Sequence, residues 1–162
     1  MKWFPIVALV LFGCPVPEPE LDGGTLPDGG ACPSGAELGT ELDGDGGARS
    51  YSELNDGAQL LINRGPQGGW HVWVSVRARS LSRTGTLSYT LRSNSVVVSA
   101  PLRLELQNLV LDPITCGWER RSDALTFESN GEAYRGAQGE LELRLEKFGV
   151  TPVVVKRTVT LF

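Results

Sequence analysis

The chain has 162 residues, with 15 Lys and Arg against 19 Asp and Glu for a net charge of −4, and 41% of its side chains are hydrophobic. That composition suits one globular domain with a tail, and excludes both a wholly disordered chain and a membrane-embedded one. A single histidine, His71, and a single methionine, Met1, exclude His-rich zinc sites, His–Met copper sites and di-metal centres, so no metal and no cofactor is expected.

In chain order, residues 1–13 read as a signal peptide. Met1-Lys2 supplies a positive start, and Trp3 to Phe12 form a short apolar run ending at the small residue Gly13. The run is about half the ~20 residues that a membrane-spanning helix needs. Its ending, Leu11-Phe12-Gly13-Cys14, resembles the lipobox of bacterial lipoproteins: an apolar residue, two positions on a small one, then cysteine. The resemblance implies that Cys14 carries a diacylglycerol and becomes the acylated first residue of the mature chain, a palmitate-type anchor in the bacterial cell envelope. Pro15 stands where an aspartate is associated with inner-membrane retention, which points to the outer membrane. Ordinary secretion, with Cys14 left as a thiol or disulfide partner, is the alternative.

Residues 14–47 are expected to form a lipidated N-terminus and a flexible linker. From Pro15 to Gly47 there are nine glycines, five prolines, eight carboxylates and no Lys, Arg or aromatic residue. Such a segment buries too little apolar area to offset its ordering entropy. Asp43-Gly44-Asp45-Gly46-Gly47 lacks the third oxygen ligand, the turn glycine and the bidentate glutamate of an EF-hand loop, so it is not read as a calcium site.

Residues 48–162 carry 14 basic and 11 acidic groups, a mild excess without the clustered footprint that nucleic acid requires. Their pattern has period two. Val72, Val74, Val76 and Ala78 alternate with His71, Trp73, Ser75, Arg77 and Arg79; leucines at 102, 104 and 106, and again at 141, 143 and 145, alternate with polar residues. This predicts strands over 58–63, 70–79, 85–92, 95–99, 101–111, 124–128, 138–147 and 152–161, the fourth and fifth being one bent strand if Pro101 merely interrupts it. Seven to eight half-buried strands separated by Gly/Pro turns favour an all-β, antiparallel two-sheet sandwich, with an up-and-down barrel as the alternative. Gly39-Thr40 and the series from Gly65 to Ala78 (Gly-Pro-Gln-Gly-Gly-Trp-His-Val-Trp-Val-Ser-Val-Arg-Ala) resemble a recurring opening of uncharacterised bacterial lipoproteins with immunoglobulin-like domains. An immunoglobulin-like sandwich is what that resemblance implies, and it brings no activity with it.

Chemistry is sparse. His71 is the one imidazole, no nucleophile elbow, Cys-x-x-Cys or phosphate-binding loop is present, and Glu140 and Glu142 alternate with leucines as a solvated face does. No catalytic residue and no enzyme is expected. The outward set His71, Trp73, Arg77 and Arg79, with Trp70 and Trp118 placed in or beside turns, is the candidate binding face, because Trp and Arg are favoured at interfaces. The expected function is a lipid-anchored envelope protein whose sandwich is a structural or protein-interaction module. Its expected partners are the membrane, through the acyl chains, and an envelope protein or glycan. The alternative is a carbohydrate-binding sandwich using Trp70, Trp73 or Trp118. With Cys14 acylated, Cys32 and Cys116 remain, and an exported pair is more often bonded than free.

Overall fold

The fold is set by strands whose faces differ in polarity. Residues 70–79 show it best: in the strand they form, Val72, Val74, Val76 and Ala78 are fully buried, while His71, Trp73, Arg77 and Arg79 keep partial exposure on the other face. The structure, a computed structural model, describes residues 30–43 and 49–162. The expected signal peptide, Cys14, most of the expected linker and most of the Asp43–Gly47 segment lie outside the described residues.

Two sheets pack face to face. The first contains β1 (Gly35–Asp43), β2 (Arg49–Glu53), β4 (Asn63–Arg64), β5 (Trp70–Arg79), β9 (Asp112–Ile114) and β10 (Gly117–Thr126), in the order β2-β1-β5-β10-β9 with β4 beside β5. The second contains β3 (Ala58–Leu60), β6 (Thr86–Ser93), β7 (Val96–Val97), β8 (Leu102–Glu105), β11 (Gln138–Glu146) and β12 (Val153–Leu161), in the order β3-β12-β11-β6-β7 with β8 beside β6. Leu38, the β5 valines, Trp118 and Leu125 from the first sheet meet Leu87, Tyr89, Leu91, Leu141, Leu143 and Val159 from the second, all essentially without solvent contact. This is the all-β two-sheet sandwich that the alternation predicts, and each sheet keeps its own edges instead of closing into a barrel.

Several expectations are corrected. The linker does not run through Gly47: Gly35–Asp43 is strand β1, hydrogen-bonded between β2 and β5. Ala36 and Leu38 alternate with Glu37 and Gly39, so the segment carries a period-two signal beneath its glycine-rich composition. The pairing is not wholly antiparallel, because β3 runs parallel to β12. The strand expected over 58–63 divides into β3 and β4, which join different sheets. The strand expected over 101–111 stops at Glu105, where a 3-10 turn, Leu106–Asn108, sets in. The strand expected at 124–128 starts as early as Gly117.

Pro101 does break a bent strand. β7 and β8 both pair with β6, and between them the chain swings to the other sheet, where Ser99 bridges Phe127 and the Ala100 amide donates to the Thr126 carbonyl at 2.8 Å.

A polar group sits inside the sandwich. The β10 register shifts between Arg120 and Asp123, with Ser122 in the left-handed region at φ 65°. The bulge leaves Arg120 opposite Val76 and Asp123 opposite Val74, both on the inward face. Arg120 pairs with Asp123 at 2.7 Å, and the Tyr89 hydroxyl from the second sheet donates to the same carboxylate at 3.3 Å. Burial raises the Asp123 carboxyl above its ordinary 3.8, against the downward pull of the Arg120 charge and of hydrogen bonds from Arg120 and Tyr89. The folded chain therefore holds this proton more tightly than the unfolded one. Its contribution to stability is complete below the unfolded value and is lost as pH rises through the folded value. The gap between the urea midpoints of wild type and Asp123→Asn should shift in the variant's favour as pH rises from about 3 to about 7. A gap that does not move with pH would contradict the raised carboxyl.

Candidate functional site

β5 lies between β1 and β10, so its outward side chains have neighbours on both sides. The candidate residues do not all share that face. His71, Trp73, Arg77 and Arg79 do. Trp70, one residue out of phase, turns to the core side, where its side chain lies against Gly131 and the Arg64 guanidinium stands 5.6 Å from its ring centroid. Gly131 opens the 3-10 turn Gly131–Tyr134, and a Cβ there would meet the Trp70 Cβ at 2.7 Å. Trp118 is not in a turn at all. It is a fully buried β10 residue opposite Ala78, and its indole N–H donates to the Leu81 carbonyl at 3.2 Å. It cannot stack on a ligand, and of the three tryptophans considered for sugar binding only Trp73 lies on the outward face.

The face itself is polar, half-buried and internally paired. Trp73 meets His71 edge to face, with ring centroids 4.7 Å apart. His71 pairs with Asn63 across the β4–β5 hairpin, beneath the turn that starts at Gly65, and burial holds its pKa below the ordinary 6.5, keeping the imidazole neutral at pH 7. Arg77 donates to the Glu119 carboxylate and lays its guanidinium 3.9 Å from the Tyr51 ring centroid. Glu119 also accepts from Arg121 at 3.0 Å, and Arg121 reaches Asp112 at 2.9 Å. Arg79 pairs with Glu37, and the Ser122 hydroxyl donates to Glu41.

Side chains from β1, β2, β9 and β10 thus complete the surface. Gly39 explains how Tyr51 fits: a Cβ at position 39 would overlap the tyrosine ring, so glycine leaves the space that the ring fills. Burial and the Glu37 carboxylate push the Tyr51 phenol well above its ordinary 10.0, so it stays protonated. Ser75, expected on the exposed face, is fully buried in the row between Trp73 and Arg77 and directly across from Gly39. Its Oγ and the Tyr51 hydroxyl have no hydrogen-bond partner among the described residues. Such burial costs about 1–3 kcal/mol per group. The sequence signal for these partners was present in the β1 alternation and in the run Trp118-Glu119-Arg120-Arg121, but composition hid the first and a supposed turn the second.

Cys32 and Cys116 are bonded, with Cα atoms 5.7 Å apart. The bridge borders a shallow depression of about 360 Å³ lined by Pro33, Arg77, Arg79, Ile114, Thr115 and Cys116. Cys116 sits in the β9–β10 turn at φ 66°, and its carbonyl accepts from the Ser80 amide at 2.8 Å. The bridge therefore fastens the start of β1 to the end of the sandwich where β5 finishes and β10 begins. Among the described residues no group of three or more His, Cys, Asp and Glu side chains is placed to hold a metal ion.

Comparison with known proteins returns no matching family model, no matching curated protein and no matching solved structure.

Proposed function

We propose that the chain is a lipid-anchored protein of the bacterial cell envelope, held in the outer membrane by acyl groups on Cys14, whose β-sandwich serves as a structural or protein-interaction module. The observation that carries the reading is the sequence Leu11-Phe12-Gly13-Cys14 behind a positively charged start and a short apolar run. The Cys32–Cys116 bridge supports it, since such bonds persist in oxidising compartments outside the cytoplasm. The outward face of the first sheet supports an interaction role over a catalytic one. His71 is neutral and held against Trp73, and Arg77 and Arg79 are paired with carboxylates, which leaves a polar, internally paired surface with an aromatic centre.

Metabolic labelling with a fatty-acid analogue tests the anchor. Wild type should be tagged and should fractionate with membranes, and Cys14→Ser should lose both properties. A Cys14→Ser chain that remains acylated and membrane-bound would refute the reading.

A further inference from the structure

Phe148 is the most exposed apolar side chain described, at 104% of its reference area, and Val150 beside it is 59% exposed. Both occupy the tip of the β11–β12 hairpin, where Gly149 adopts φ 76° and the Val150 amide donates to the Lys147 carbonyl at 3.1 Å. Isolated exposed apolar residues are ordinary. This tip is different because of what adjoins it.

The hairpin stands at the end of the sandwich that receives the N-terminal chain. Gly35 and Gly117 both pair with Arg79, which puts the Cys32–Cys116 bridge at the end of β5. From there residues 80–85 cross to the second sheet. They lie directly against the hairpin: the Lys147 ammonium donates to the Ser82 hydroxyl at 3.2 Å, and a Cβ on Gly85 would overlap the Glu146 carbonyl. Between loop and hairpin opens an apolar cleft of about 80 Å³, lined in part by Leu81, Leu106, Leu145 and Val153. The charges on these two loops are Arg83 and Lys147, both exposed, and Glu146, which is paired with Arg144 at 2.6 Å.

We propose that this end of the sandwich is the face laid against the membrane, with Phe148 and Val150 inserted among the acyl chains and Arg83 and Lys147 at anionic headgroups. The inference rests on the acylation of Cys14 proposed above. Fully extended, the 17 residues from Cys14 to Gly30 span at most about 60 Å, so an anchored sandwich stays within that distance of the bilayer and is tethered from its bridged end. An aromatic tip flanked by cations is the composition that binds at a lipid interface. Acyl anchor, protein tip and basic flank then act on the same bilayer, the tip and flank orienting a sandwich that the acyl chains already hold there.

The test uses the full acylated chain in vesicles of phosphatidylglycerol and phosphatidylcholine whose acyl chains carry bromine, which quenches tryptophan on contact. Phe148→Trp is compared with Val96→Trp. Val96 is 64% exposed but sits in β7 at the opposite end, so it serves as control. Far-UV circular dichroism should show both variants folded, because both positions are exposed. If the proposal holds, Phe148→Trp shows blue-shifted emission and loses intensity on brominated vesicles, while Val96→Trp behaves as wild type. If both variants float with the vesicles and Phe148→Trp is quenched no more than Val96→Trp, the proposal fails and the anchor stands. If the chain is not acylated and does not float, both fail. A blue shift that grows with protein concentration in the absence of vesicles would assign the tip to a second copy of the chain and overturn the proposal.

Discussion

Truncating Trp118 to alanine should destabilise the protein by about 3–5 kcal/mol, the range for removing a large aromatic side chain from a packed core. The indole is fully buried in the first sheet, and its N–H holds the Leu81 carbonyl. The variant therefore loses packing, leaves a cavity and strands a polar atom at once. Trp73→Ala, on the half-buried outer face, should cost about 1 kcal/mol, near the centre of the range for ordinary substitutions. Urea denaturation followed by far-UV circular dichroism reads both midpoints. A Trp118→Ala midpoint close to wild type would mean that the indole is not in the core.

Cys116→Ser should lower stability by about 4–5 kcal/mol in the chain-entropy description, for a bridge that closes a loop between residues 84 apart in sequence. The loss should be reproduced by adding reductant to the wild type, and reductant should leave the variant unchanged. The denaturant slope should rise in both reduced forms, because the unfolded chain without its cross-link exposes more surface. An oxidised wild type whose midpoint is insensitive to reductant would show that the bridge contributes little. The reason to expect a large effect is local. Cys32 precedes β1, a strand drawn from glycine-rich sequence that nonetheless occupies an internal position in the first sheet.

The parts of the fold legible in the sequence are those where polarity alternates without interruption. β5 matches its expected span of 70–79, and β6, β11 and β12 fall within a residue of theirs at each end, because valine and leucine spacing alone fixes which face is buried. β1 is hidden in the sequence because glycine and carboxylates dominate its composition, whereas a strand needs only one buried side chain in two. Gly39, which reads as a breaker, is there because Tyr51 lies across it. The early start of β10 escaped because the positive φ of Cys116 makes a tight turn directly before it, so Trp118 belongs to a strand and not to a loop. The Arg120–Asp123 bulge has no signature in spacing, since its inward carboxylate depends on Tyr89 from the other sheet.

The outer face was half legible for the same reason. Period two places His71, Trp73, Arg77 and Arg79 on it, as the structure does, whereas Trp70, expected in or beside a turn, falls in phase with the buried valines and packs on the core side. What occupies the arginines could not be read at all. Glu37 and Glu119 reach them through pairing between strands 42 residues apart in sequence, and only the folded register brings those carboxylates within reach.

The bridge also determines how the protein would bear tension. A pull on the chain ahead of Cys32 passes through the sulfur atoms to Cys116 and into β10, so the chain from β1 to β9 sits inside a covalent bypass and cannot be drawn out by it. Peeling β1 off β5 one hydrogen bond at a time, the easy way to open a sheet from a strand's end, is closed to such a pull while the bond is intact. Reduction releases about 290 Å of chain, 84 residues at roughly 3.5 Å each, to extension. The redox state of two sulfur atoms thus decides whether the sandwich yields as a short stub or as a long string.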